Sequence, residues 1–124
     1  MLPTTAGREL LGGAELARHM VDLLAEKQAE DVLLLDISKV TTFADYFVIA
    51  SAANVRQMQA LRDALDEALE RDGHGPVRSE GDIDSGWVLL DAGDVIVHLF
   101  SPEQRAYYDI ERLWSSGTPV VRIQ

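Results

Sequence analysis

The sequence contains no cysteine, so a disulfide framework, a thiol nucleophile and a cysteine-ligated zinc site are excluded. Cations are scarce: 11 Lys and Arg stand against 21 Asp and Glu, for a formal net charge of −10. A surface that neutralises phosphates needs clustered Lys and Arg, so direct nucleic acid as the main contact is disfavoured, and so is an anionic membrane surface. A basic protein is the more natural partner, beside the plain alternative that acidity serves solubility. Long apolar runs are also missing. None approaches the roughly 20 residues needed to span a bilayer. The first eight residues, Met1 to Arg8, lack the basic-then-apolar order of a signal peptide. The expectation is a cytoplasmic protein. The three histidines, His19, His74 and His98, make no ligand spacing, and no metal or cofactor is expected.

What is present suits one globular domain. A chain of 124 residues with 47% hydrophobic side chains can bury a core without metal or disulfide staples. Residues 1–12 read as a flexible leader with little apolar pattern. From Gly13, Leu16, Ala17, Met20, Val21 and Leu24 fall on one face of a helix. Val32 to Ile37 and Tyr46 to Ala50 are short, nearly continuous apolar runs, the mark of strands buried on both faces. Asn54 and Gln57 predict a capped helix with Met58, Leu61, Leu65, Ala68 and Leu69 on its buried stripe and Gly73 at its end.

The last third predicts a short strand over 77–80, a flexible link over 81–86, and a hairpin. Its strands are Trp87 to Leu90 and Val95 to Phe100, turning at Asp91-Ala92-Gly93-Asp94. Ser101-Pro102-Glu103-Gln104 is a helix-start signature. One short helix runs through Tyr107, and a second spans Asp109 to Trp114. Residues 117–124 read as a loop-like C-terminal tail, which leaves 13–116 as the folded domain. The predicted order is α-β-β-α-β-β-β-α. The class is α/β or α+β, a mixed sheet flanked by helices.

Four stretches, in order, resemble the ribosomal silencing factor family (RsfS, or Iojap-like). They are Asp45 to Ser51; Arg56-Gln57 at the start of the long helix; Glu80-Gly81 ahead of Trp87-Val88-Leu89-Leu90-Asp91; and Gly93-Asp94-Val95-Ile96-Val97-His98. Arg105, Tyr107-Tyr108, Leu113 and Trp114 resemble the family's C-terminal pattern. The set, in one order over residues 13–116, is more specific than any piece. The resemblance implies a fold like a nucleotidyltransferase core without catalytic groups, and often a dimer. It implies binding to the large ribosomal subunit through the ribosomal protein numbered fourteen, on the intersubunit face. Small-subunit joining is then blocked and translation repressed. One departure stands out: Ala52-Ala53-Asn54 replaces the family's Gly-Thr-Ser turn, which removes hydroxyl chemistry there while leaving Asn54 as a cap.

No Lys or Arg occurs between Arg78 and Arg105, whereas Glu80, Asp82, Asp84, Asp91, Asp94 and Glu103 do. Such a one-sign patch steers a basic partner. Strand alternation puts Trp87, Leu89 and Asp91 on one face, and an aromatic anchor beside carboxylates has the composition of a binding hot spot. Trp87 in the core is the competing reading; the resemblance favours the interface. The expected partner-binding residues are Glu80, Trp87, Leu89, Asp91, Asp94 and Tyr108. Turn chemistry explains Asp91 and Asp94 equally well. His98 fits a hydrogen-bonded structural role better than that of a catalytic base. Tyr107, Tyr108 and Trp114 have core docking as their default, with one of them bordering the contact surface. Asp36 and Asp45 lie on different segments and do not make the paired carboxylates a nucleotidyltransferase needs. A nucleotide-binding or nucleotidyltransferase-like enzyme remains the alternative, and a non-enzymatic binding protein the principal reading.

Overall fold

A computed structural model describes residues 12–71 and 77–124. The expected leader, apart from Gly12, and Gly73 as a helix end lie outside the described residues. The elements are α1 (Gly13–Glu26), β1 (Glu30–Asp36), β2 (Tyr46–Ser51), α2 (Val55–Leu69), β3 (Arg78–Glu80), β4 (Trp87–Asp91), β5 (Val95–Phe100), α3 (Pro102–Tyr108), α4 (Ile110–Leu113) and β6 (Thr118–Ile123). Six strands form one mixed sheet in the order β3-β4-β5-β2-β1-β6. Only the central β2–β5 pair is parallel, with Tyr46 opposite Val95 and Ser51 opposite Phe100. A parallel pair requires a crossover, and α2, β3 and β4 lie within it.

Both faces of the central strands are apolar, and the cover is unequal. Leu16, Met20 and Leu24 of α1, with Met58, Leu61 and Leu65 of α2, pack on Val32, Leu34, Val48, Val97 and Leu99. The buried stripes of both helices are those their spacing predicts. The opposite face carries Leu33, Leu35, Phe47, Ile49, Ile96 and Phe100, and its helical cover comes from the short α3 and α4. Burial on that side is incomplete, since Trp87, Leu89 and Trp114 are only partly buried against it.

Local chemistry sets the helix starts. Asn54 Oδ1 accepts the Gln57 amide at 2.8 Å, and Gln57 returns its side-chain oxygen to the Ala53 amide at 2.7 Å. Ser101 Oγ accepts the Gln104 amide at 3.2 Å, with Pro102 at the first helical position.

Three expectations need correction. The tail is not loop: Thr118–Ile123 pairs antiparallel with β1, Val32 opposite Ile123 and Asp36 opposite Thr118. The proposed flexible link contains a one-turn 3₁₀ helix, Ile83–Ser85, with the Ser85 hydroxyl donating to the Asp82 carbonyl at 2.6 Å. Tyr107 is not in the core, being 76% exposed. It sits on the outer side of α3, which is too short to bury two adjacent tyrosines against the sheet.

Arg105 fastens the second-face helices. It is 8% exposed, and its guanidinium donates to the Asp31 carbonyl at 2.6 Å, the Ser51 hydroxyl at 2.9 Å and the Glu111 carboxylate at 2.8 Å. Arg122 of β6 adds a bidentate pair with Asp31 at 2.9 and 3.0 Å. Breaking a buried charge cluster by removing one partner costs about 3–5 kcal/mol. Arg105→Ala is expected to lose about that much stability, read from urea unfolding, with α3 and α4 the first segments to lose hydrogen-exchange protection.

Candidate functional site

The β4 strand alternates half-buried and buried residues, so Trp87, Leu89 and Asp91 share the thinly covered face. Across it runs a band of rings. Phe43 meets Trp114 at 5.6 Å, Trp114 meets Phe47 at 5.1 Å, and Phe47 meets His98 edge-on at 4.6 Å. Trp87 then stacks on Phe100 at 5.0 Å and lies 4.5 Å from Tyr108. Phe43 is 57% exposed and Tyr108 43% exposed, so both ends of the band reach solvent. Aromatic rings combine large contact area with low conformational entropy, which suits them to binding surfaces.

At the Tyr108 end lies a pocket of about 270 Å³, lined by Glu80, Gly81, Ser85, Trp87, Leu89 and Tyr108. Four of the six expected partner-binding residues thus converge. Asp91 and Asp94 do not join them. Both sit at the far end of the hairpin, with Asp91 roughly 13 Å along β4 from Trp87 at about 3.3 Å per residue. Asp91 Oδ1 accepts the Gly93 amide at 2.9 Å, the turn role open to it. The Asp94 carbonyl accepts the Asp45 and Tyr46 amides at 2.8 and 3.0 Å. Gly81, Ser85 and the Phe43–Phe47 stretch of the band were not anticipated. Phe47 lay within an apolar run, where nothing distinguishes a face covered by helices from one left open.

Glu80 is exposed at the rim and lies 3.4 Å from Arg78, an ion pair open to solvent that contributes little. Gly81 has φ +93°, and a Cβ there would come within 2.3 Å of the Trp87 carbonyl oxygen. The pocket rim therefore depends on glycine.

His98 sits in β5 with 5% exposure. Its Nδ1 accepts the Trp87 indole N–H at 3.2 Å, which is the hydrogen-bonded role expected of it. Burial pushes the imidazole down from 6.5 to about 4. Asp36 is bonded locally. Its Oδ1 accepts the Ser38 amide at 2.9 Å and the Ser38 hydroxyl at 2.6 Å, and these bonds hold it below the ordinary carboxylate range. Among the described residues, no group of three or more His, Cys, Asp or Glu is placed to hold a metal. No helix among them is long and apolar enough to cross a membrane.

Two predictions follow from this geometry. Gly81→Ala meets both a left-handed backbone and a carbonyl oxygen, and should cost at least about 2 kcal/mol. Gly93→Ala, with φ +86° but nothing within 4 Å, should cost about 1 kcal/mol; urea denaturation of the pair measures the difference. For His98, the unfolded chain binds a proton at higher pH than the fold does. The stability held by the neutral imidazole is therefore full above pH 6.5 and is lost as the pH falls towards about 4. The loss is roughly 3 kcal/mol, and stability measured across that window should flatten in His98→Asn.

Residues 13–124 match the family model described as "Ribosomal silencing factor during starvation". The chain is 34% identical over 114 residues to the ribosomal silencing factor RsfS of Halalkalibacterium halodurans, covering 92% of this chain and 97% of that one. It is 37% identical to the RsfS of Chromobacterium violaceum, over 85% of this chain and 86% of that protein. A crystal structure of a Chromobacterium violaceum protein superposes with a TM-score of 0.80 at 36% identity, over 85% of this chain and 88% of that one. One from Bacillus halodurans gives 0.70 at 35%, over 87% and 95%. The matched span includes β6, and the chain belongs to the ribosomal silencing factor (RsfS) family.

Proposed function

We propose that this chain is an anti-association factor acting in the cytoplasm. It binds the large ribosomal subunit through a basic ribosomal protein of the intersubunit face, the one numbered fourteen. Its body then occupies space that the small subunit requires, and translation falls. The observation that carries this reading is the aromatic band left open on one sheet face, ending beside Trp87 in a pocket whose one lining carboxylate is Glu80. Aromatic anchors with a carboxylate at the rim, on a chain of net charge −10, suit a cationic protein surface. No bond is made or broken; binding and steric exclusion suffice. A second copy of the chain would cover the same face when the subunit is absent, and sedimentation at several concentrations reads that.

The alternative, a nucleotide-binding or nucleotidyltransferase activity, has less behind it. Asp36 is engaged by Ser38, and Ala52-Ala53 stands where a phosphate-cradling glycine is needed. Fold likeness alone is weak support for chemistry.

Removing a buried aromatic anchor costs at least about 2 kcal/mol, roughly thirtyfold in affinity. Trp87→Ala should therefore abolish co-sedimentation with large subunits at concentrations where the parent binds, while its circular dichroism stays that of the parent. Undiminished co-sedimentation of the folded variant would take Trp87 out of the contact.

A further inference from the structure

His98 carries an incomplete set of hydrogen bonds at the centre of the aromatic face. Nδ1 accepts the Trp87 indole N–H at 3.2 Å, whereas Nε2 is buried without a hydrogen-bond partner. An indole N–H can only donate, so Nδ1 must present its lone pair. The neutral ring therefore keeps its one proton on Nε2. A second proton would place an N–H on Nδ1, donor against donor, and the bond to Trp87 could not persist.

The two rings are not equally free to respond. His98 is held in a central strand, opposite Ile49 and Leu89, with Phe47 packed edge-on at 4.6 Å. Trp87 opens β4, which lies between β5 and the three-residue edge strand β3; it is half-buried, and lines the pocket with Glu80 and Tyr108. Turning the indole out is the easier movement, and it dismantles the pocket wall.

The charged and titratable groups on the surrounding elements are otherwise engaged or distant. Asp91 of β4 bonds the Gly93 amide, and Glu80 of β3 faces Arg78. Arg105 of α3 is taken up by Asp31, Ser51 and Glu111 of α4, while Tyr108 of α3 packs on Trp87 and Phe100. Asp45, ahead of β2, is exposed. Among the described residues, none of these makes a hydrogen bond or an ion pair with the imidazole. The burial that holds His98 neutral is unopposed.

We propose that His98 is a pH-sensitive positioning residue of the docking surface: its neutral imidazole fixes the Trp87 indole in the pocket wall, and protonation in acid releases the indole and weakens docking of the basic partner. This rests on the anti-association reading for its consequence, though not for the lock itself.

Trp114→Phe leaves Trp87 as the sole tryptophan, so its fluorescence reports the indole directly. In that background, acidification should red-shift the emission in one protonation step below the pH of an ordinary histidine, while far-UV circular dichroism stays constant. His98→Asn keeps an acceptor near the Nδ1 position and cannot titrate, so its emission should stay flat. Co-sedimentation of the parent with purified large subunits should weaken about tenfold through the same step, the scale of one buried hydrogen bond with its geometry. At neutral pH, His98→Leu should weaken binding about tenfold, and His98→Asn should recover most of that loss. A flat emission titration in the His98 protein, an equal transition in His98→Asn, or parental binding by His98→Leu would each overturn the proposal. A parent that never co-sediments overturns the anti-association reading instead, and the emission titration still decides whether the lock exists.

Discussion

The central parallel pair, β2 beside β5, imposes a demand that this short chain meets on one side only. Strands in that position are apolar on both faces and need cover on both. Helices of 14 and 15 residues cover one face, and helices of seven and four residues cover part of the other. The remainder is finished with rings rather than with another layer of backbone. Large aromatic side chains lie over the sheet and over one another, which lets a thin layer exclude water from Ile49 and Phe100 while its outer edges stay wet. An open apolar face on a globular domain is ordinarily a place for a partner. In this protein it is a direct result of the topology.

Keeping such a layer in place requires fastening, because a helix of four residues has almost no stability of its own. Arg105 supplies it by joining α3, α4 and the start of β1 and the end of β2 through one guanidinium. Arg122 brings the edge strand β6 into the same cluster through Asp31. Tyr108, the last residue of α3, packs on Trp87 and Phe100 from a helix that Arg105 holds down. The pocket is thus built on long-range polar contacts at one end and on glycine geometry at the other.

These origins explain what the sequence revealed. Periodicity identified every buried residue of α1 and α2, because a helix packed on one side leaves a simple pattern. Capping chemistry located both helix starts. Alternation along Trp87, Leu89 and Asp91 placed them on one face, and Glu80 and Tyr108 proved to lie beside the first two. The hairpin reading already set Asp91 and Asp94 at the turn, away from Trp87, but position along a strand does not say which neighbouring residues the fold brings to each end, so they were grouped with the Trp87 surface. The edge strand β6 was missed for a related reason. Thr118-Pro119 follows Gly117 and reads as turn chemistry, all but Val121 of its residues are exposed, and its register shifts between Leu34 and Leu35. A strand that buries so little leaves no alternating signal; pairing with β1 and the Arg122–Asp31 bridge define it. Tyr107 and Tyr108 looked equivalent, and only the helix axis separates a ring on the sheet from one in water.

In the docking we propose, acid and aromatic residues have separate tasks at this surface. Exposed carboxylates such as Glu80 act across solvent over about one Debye length, roughly 8 Å at physiological salt, and their effect is on how often a cationic surface arrives in a useful orientation. They do little to retain it, since each is screened and easily rehydrated. Retention depends on area removed from water at Trp87, Leu89 and Tyr108, and dissociation rates carry most differences in affinity. Under the proposed anti-association role, a factor that works by occupying space must outlast the encounters of its competitor, so its lifetime on the subunit would matter more than its speed of arrival. That places the functional weight on the geometry of the rings, and above all on Trp87, whose indole N–H is given to a histidine in the core.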